Sequence, residues 1–151
     1  MISFLWQKKP EGVRARLLRS AVNQVLKFAQ VKLERTELSI FFTDDATMAD
    51  LNKTYRQKQG TTDVLSFTYE EKPSNTDISG EIIISLDTAR RQAMNRGKML
   101  EDELGELLIH GLLHILGYED ESVKGHEKMV KGGEKLWEKA KDLYLSPLNT
   151  P

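Results

Sequence analysis

Two of the chain's three histidines, His110 and His114, stand four residues apart in the run LLIHGLLHILGYED, from Leu107 to Asp120. On a helix that spacing puts both rings on one face, one turn apart, with their nitrogens able to converge. Gly117 then offers a stop, because glycine adopts the left-handed conformation that ends a helix at little cost. Asp120, six residues past His114, can swing back toward the rings. Two imidazoles and a carboxylate with a fourth position open are the donor set of a catalytic zinc. Three histidines scattered at random would give a pair four apart in only about 4% of arrangements, so coincidence is disfavoured. His126, twelve residues beyond His114, is the rival third ligand, but the pattern leaves it inside the following helix.

The same spacing, with glycine three residues after the second histidine, is the metal framework of metzincin peptidases. Those enzymes carry glutamate directly after the first histidine as general base. Here that position is Gly111, so a peptidase of this kind would lack the group that activates its water.

The ligands need a rigid frame, and the pattern predicts one. Residues Met99 to Leu116 read as a helix that is apolar on nearly all sides in its second half, as a helix enclosed by other elements is. Before it, a helix over Asp87 to Arg96 carries Arg90, Arg91 and Arg96, with Gly97 at its end. After it, a helix from Ser122 to Leu143 has Met129, Leu136, Trp137 and Ala140 as its core face, and Gly132-Gly133 predicts a kink. Toward the N-terminus, Ile2 to Trp6 reads as a short strand. Pro10 suits the first turn of an amphipathic helix whose apolar residues run from Val13 to Ala29. Leu38 to Thr43, Val64 to Tyr69 and Glu81 to Ser85 read as strands. Asp44 or Asp45 caps a helix that ends near Arg56, and QKQGTT follows as a polar loop. EEKPSNTDIS reads as a mobile loop, and residues 145–151 as a disordered tail.

The expected fold is one α+β domain over residues 1–151: a small mixed four-stranded sheet with about five helices around a buried metal-binding helix, a zincin-like arrangement. A chain of 151 residues with 39% hydrophobic and 30% charged residues suits a single globular domain. The net charge of −1 excludes a wholesale electrostatic grip on nucleic acid, so any such binding must use a local patch. No cysteine is present, which rules out disulfides and thiolate metal sites and suits a reducing cytoplasm. No apolar run approaches the ~20 residues of a membrane span, and the opening MISFLWQKKP lacks the features of a signal peptide.

Two blocks together resemble a known family. His110-Gly-Leu-Leu-His114-Ile-Leu-Gly117-Tyr118-Glu119-Asp120 is similar to the His-Gly-x-Leu-His-x-x-Gly-Tyr-Asp-His signature of the YbeY endoribonucleases, bacterial ribosomal RNA maturation factors. Leu51-Asn52, Tyr55-Arg56, Thr62-Asp63-Val64-Leu65-Ser66-Phe67 and Gly80-Glu81-Ile82-Ile83 resemble the family's second block in order and spacing. Gly111 is the residue that family is expected to have. The resemblance implies a zinc-dependent, single-strand-selective endoribonuclease in ribosomal RNA maturation and ribosome assembly, with one Zn²⁺ ion. Its partners would be single-stranded RNA, ribosomal RNA and the small ribosomal subunit, and it would act as a cytoplasmic monomer.

Carried over by position, His110 and His114 match the first two metal ligands, and Arg56 matches an arginine implicated in catalysis. Asp120 stands where the family usually has histidine, and Glu119 where it usually has aspartate. Zinc tolerates that exchange of imidazole for carboxylate. Glu119 is the nearest acid or base, or else it orients a ligand. Arg90 and Arg91, with Arg96 and Lys98, could track an RNA backbone or form a solvated face. Asp63 could touch substrate or cap a turn, and Tyr118 could stack on a base or pack. Two other classes stay open: a metallopeptidase, disfavoured by Gly111, and a non-catalytic ribosome-assembly protein with a structural metal.

Overall fold

The computed structural model describes residues 1–56, 63–118 and 123–146, with side chains given for all of these except 55–56 and 123–126. The elements run β1 (Ile2–Trp6), α1 (Ala15–Phe28), β2 (Thr36–Thr43), α2 (Asp45–Arg56), β3 (Val64–Thr68), β4 (Ile78–Ser85), α3 (Leu86–Arg96), α4 (Leu100–Ile115) and α5 (Val123–Leu145). The expected α+β fold is what the chain adopts. Its four strands lie in the order β1-β2-β4-β3. β1, β2 and β4 are parallel, and β3 runs antiparallel on the edge beside β4.

Alternation along the strands divides the core between two faces. Leu38, Ile40, Phe42, Ile82 and Ile84 join the buried side chains of α1, α4 and α5 in one large cluster. On the opposite face Leu65 and Ile83 meet Met48 of α2, with Phe41, Leu51 and Phe67 packed around them. α4 thus has the sheet beneath it and α5 above it, which explains its nearly continuous apolar character. No helix among the described residues is long and apolar enough to cross a membrane.

Several boundaries differ from the sequence expectation, those of α1, β4 and α5 among them. α1 begins at Ala15, so Pro10 lies outside it. Gly12 takes a positive φ of 79°, and the chain enters the helix through an extended Arg14. Glu101, on α4, accepts from the Arg14 backbone N–H at 2.8 Å, a long-range start signal that local pattern does not carry. β4 starts at Ile78, before the expected Glu81, because Ser79 and Gly80 are drawn into register opposite Glu37 and Leu38. α5 runs as a single helix through Gly132 and Gly133 to Leu145, so Leu145, expected to open the tail, is helical. The expected QKQGTT loop and residues 147–151 lie outside the described residues.

Candidate metal centre

The frame of the histidine helix is built from its ends inward. Its first turn carries Glu101, Asp102 and Glu103, anions that favour the positive end of the helix dipole. Each is also tied to another element. Glu101, only 6% exposed, takes the Arg14 guanidinium at 2.7 and 3.1 Å. Asp102 accepts from Trp137 Nε1 at 2.8 Å and Lys141 Nζ at 2.9 Å, binding α4 to α5. Glu103 accepts from Arg96 of α3 at 2.8 Å. Burial pushes the Glu101 and Asp102 carboxyls up, but the cationic and N–H donors outweigh it and hold both below their ordinary values. Burial wins at Glu103, whose pKa is raised despite Arg96.

At the other end, Gly117 adopts φ 94°. Its N–H donates to the His114 carbonyl, and the Tyr118 N–H donates to Leu113, both at 3.0 Å. That pair of bonds is the left-handed helix stop the sequence predicts at Gly117.

Between these anchors α4 lies close against the sheet. A Cβ at position 111 would stand 3.0 Å from Ile82 Cγ2 and 3.1 Å from both Ser66 Oγ and Val64 Cγ2. Any side chain here starts with its Cβ pressed against two branched side chains of the sheet. The general base of a peptidase at this position would require Ile82, Val64 and Ser66 to give way by a few tenths of an ångström. At Gly105 the ring of Trp137 occupies the space a side chain would need, so α5 also seats closely.

The two imidazoles emerge from this frame together. His110 and His114 are half-buried, with ring centroids 4.6 Å apart and planes at 79°. Their Nε2 atoms approach to 3.0 Å. Two nitrogens bound to one tetrahedral zinc at its usual bond length would stand about 3.3 Å apart, so the pair is already close to chelating separation. The donors therefore suit a borderline-soft divalent cation. Among the described residues no group of three histidines or carboxylates could complete such a site. Glu119 and Asp120 lie outside the described residues, and so does the side chain of His126. Arg56 is the last residue of α2, and its side chain is likewise not described.

Beside His110 opens a cavity of about 360 Å³, lined also by Asp63, Gln92, Arg96, Glu103, Glu106 and Met129. Of the arginines on α3, Arg96 faces this space, whereas Arg90 and Arg91 do not line it. Arg91 pairs with Asp45 at 2.8 Å, tying α3 to α2, and Arg90 lies 3.8 Å from Asp87. Asp45 is held below its ordinary value: burial opposes this, but Ser85, Thr88 and Arg91 all donate to it. Lys98 is engaged with Glu106 at 2.9 Å. Tyr118 pairs with Phe28, ring centroids 5.9 Å apart, in a separate apolar pocket between α1 and α5. No motif announces Gln92 or Met129 as lining this cavity. Gln92 shares a helical face with Arg96, which is true of many surface pairs.

A family model described as Endoribonuclease YbeY matches residues 5–141. The chain is 42% identical over 124 residues to the endoribonuclease YbeY of Aquifex aeolicus, covering 82% of this chain and 78% of that one. It is 35% identical over 142 residues to the endoribonuclease YbeY of Persephonella marina, covering 92% of each. The solution structure of TM1509 from Thermotoga maritima shares the fold, with a TM-score of 0.58 and 24% identity over all of both chains.

Proposed function

This chain belongs to the YbeY endoribonuclease family, and from that premise we propose that it is a zinc-dependent endoribonuclease that cleaves single-stranded RNA in ribosomal RNA maturation and ribosome assembly. The observation that carries the metal dependence is the 3.0 Å approach of the His110 and His114 Nε2 atoms on a helix fixed at both ends. In this reading Asp120 is the third ligand and one zinc ion is bound. Bound there, zinc supplies a Lewis acid for a phosphoryl oxygen and brings the pKa of its water toward about 7.

The protein's own groups do the rest. Arg56, at the end of α2, pairs with phosphate oxygens through its planar fork and offsets the charge that grows on them in the transition state. Glu119 exchanges a proton with the attacking or leaving oxygen. Arg90 and Arg91 would hold phosphates further along the strand only by exchanging their Asp87 and Asp45 partners for them. With single-stranded RNA, ribosomal RNA and the small ribosomal subunit as partners, the protein works in the cytoplasm, and its lack of cysteine suits that compartment.

The test is cleavage of matched single-stranded and duplex RNA by the purified chain, with and without a chelator. The proposal expects cleavage of the single strand, loss on chelation, and recovery on adding zinc. Cleavage that is indifferent to chelation and to His114→Ala would refute it.

A further inference from the structure

We propose that the cavity beside His110 is a base-recognition subsite that prefers guanine, read by the carboxylate of Asp63 and the side-chain amide of Gln92. The inference rests on the endoribonuclease reading and adds to it a specificity.

Size and lining come first. About 360 Å³ falls within the range of small-ligand pockets, and Leu107 and Met129 give it apolar surface against which a planar base can lie. The polar groups are not equivalent. Glu103 is engaged by Arg96 at 2.8 Å and Glu106 by Lys98 at 2.9 Å, so these two carboxylates and two cations answer one another. Asp63 differs. Among the described residues its side chain takes one bond, from Gln92 Nε2 at a long 3.3 Å, and no cation.

A phosphate would meet three carboxylates in this space and is disfavoured. A base edge rich in donors is favoured. Guanine presents N1–H and the N2 amino group side by side, a match for two carboxylate oxygens, with O6 next to them to accept the second N–H of Gln92. Adenine and cytosine set a ring-nitrogen acceptor beside their amino group, which a carboxylate repels. Uracil has one N–H between two carbonyls. Single-stranded RNA is the form whose bases are exposed to this kind of reading. Since His110 lines the same cavity, the base bound there belongs to a nucleotide near the scissile phosphate.

Binding of the four nucleoside 5′-monophosphates and of inosine monophosphate to the zinc-loaded chain tests this, together with mapping of cut positions in a mixed-sequence RNA. Guanosine monophosphate should bind about tenfold more tightly than adenosine monophosphate. Inosine monophosphate, which lacks the N2 amino group, should lose most of that gap. Asp63→Asn should bring the ratio close to one, and Gln92→Leu, with its fold checked by circular dichroism, should narrow it. Equal binding of guanine and adenine nucleotides, or a gap that survives Asp63→Asn, would overturn the proposal. Cuts with no guanine at a fixed offset would overturn it too, while leaving the nuclease reading intact. Absence of any RNA cleavage would count against the nuclease reading instead, and nucleotide binding would still judge the subsite.

Discussion

Ser66 Oγ donates to the backbone carbonyl of Gly111 at 3.1 Å, joining the edge strand β3 to the residue that follows His110. The position of the imidazoles thus depends on a residue with no side chain. Gly111→Val should cost about 2–3 kcal/mol, because Val64 and Ile82 are branched side chains fixed in a sheet and cannot withdraw freely. Gly132→Ala is the contrast, since a Cβ there meets nothing within 4 Å. It should stabilise α5 by up to about 1 kcal/mol. Urea unfolding midpoints of the two variants check both signs.

The start of α4 makes stability depend on acid. Glu101 and Asp102 have folded-state pKa values below their ordinary 4.5 and 3.8. Between the two states' values the unfolded chain binds more protons, so the stability these groups contribute is complete above about pH 4.5 and falls as pH drops through their folded values. In Glu101→Gln the decline below about pH 4.5 should be shallower than in wild type, while stability at pH 7 is lower by about 1–3 kcal/mol. That figure allows for the Arg14 partner being 43% exposed. Unfolding free energies measured at several pH values test both parts.

Arg56 acts on substrate and not on the metal in this account. Arg56→Ala should lower RNA turnover about 100-fold while leaving bound zinc unchanged. Arg56→Lys should recover only part of the loss, because an ammonium cannot make the forked contact. Single-turnover cleavage and metal content of the same preparations separate the two effects.

The histidine helix could be read from sequence because its signals are local: apolar residues all round, two histidines four apart, and Gly117 where a left-handed stop is needed. β1 and α3 were readable for the same reason, the latter with Gly97 at φ 65° after its last turn. What stayed hidden was set at long range. The start of α1 depends on Glu101, 87 residues away. Gly80 belongs to β4 although glycine is a poor strand former, because the backbone carbonyl of Phe67 lies 2.5 Å from where a Cβ would be. The cavity beside His110 draws on α3, α4, α5 and the residue preceding β3, and no spacing within one element announces such a meeting. The same holds for the arginines of α3. The sequence lists them as one basic cluster, but packing assigns Arg96 to the cavity and Arg91 to Asp45.

Whether His110 and His114 hold a zinc ion with Asp120 is read from the metal content per chain after purification in the presence of zinc. One zinc per wild-type chain is expected, with loss in His114→Ala, weakening in Asp120→Ala and retention in His126→Ala. A wild-type chain that binds no zinc, or a His114→Ala chain that binds it as tightly as wild type, would contradict the claim.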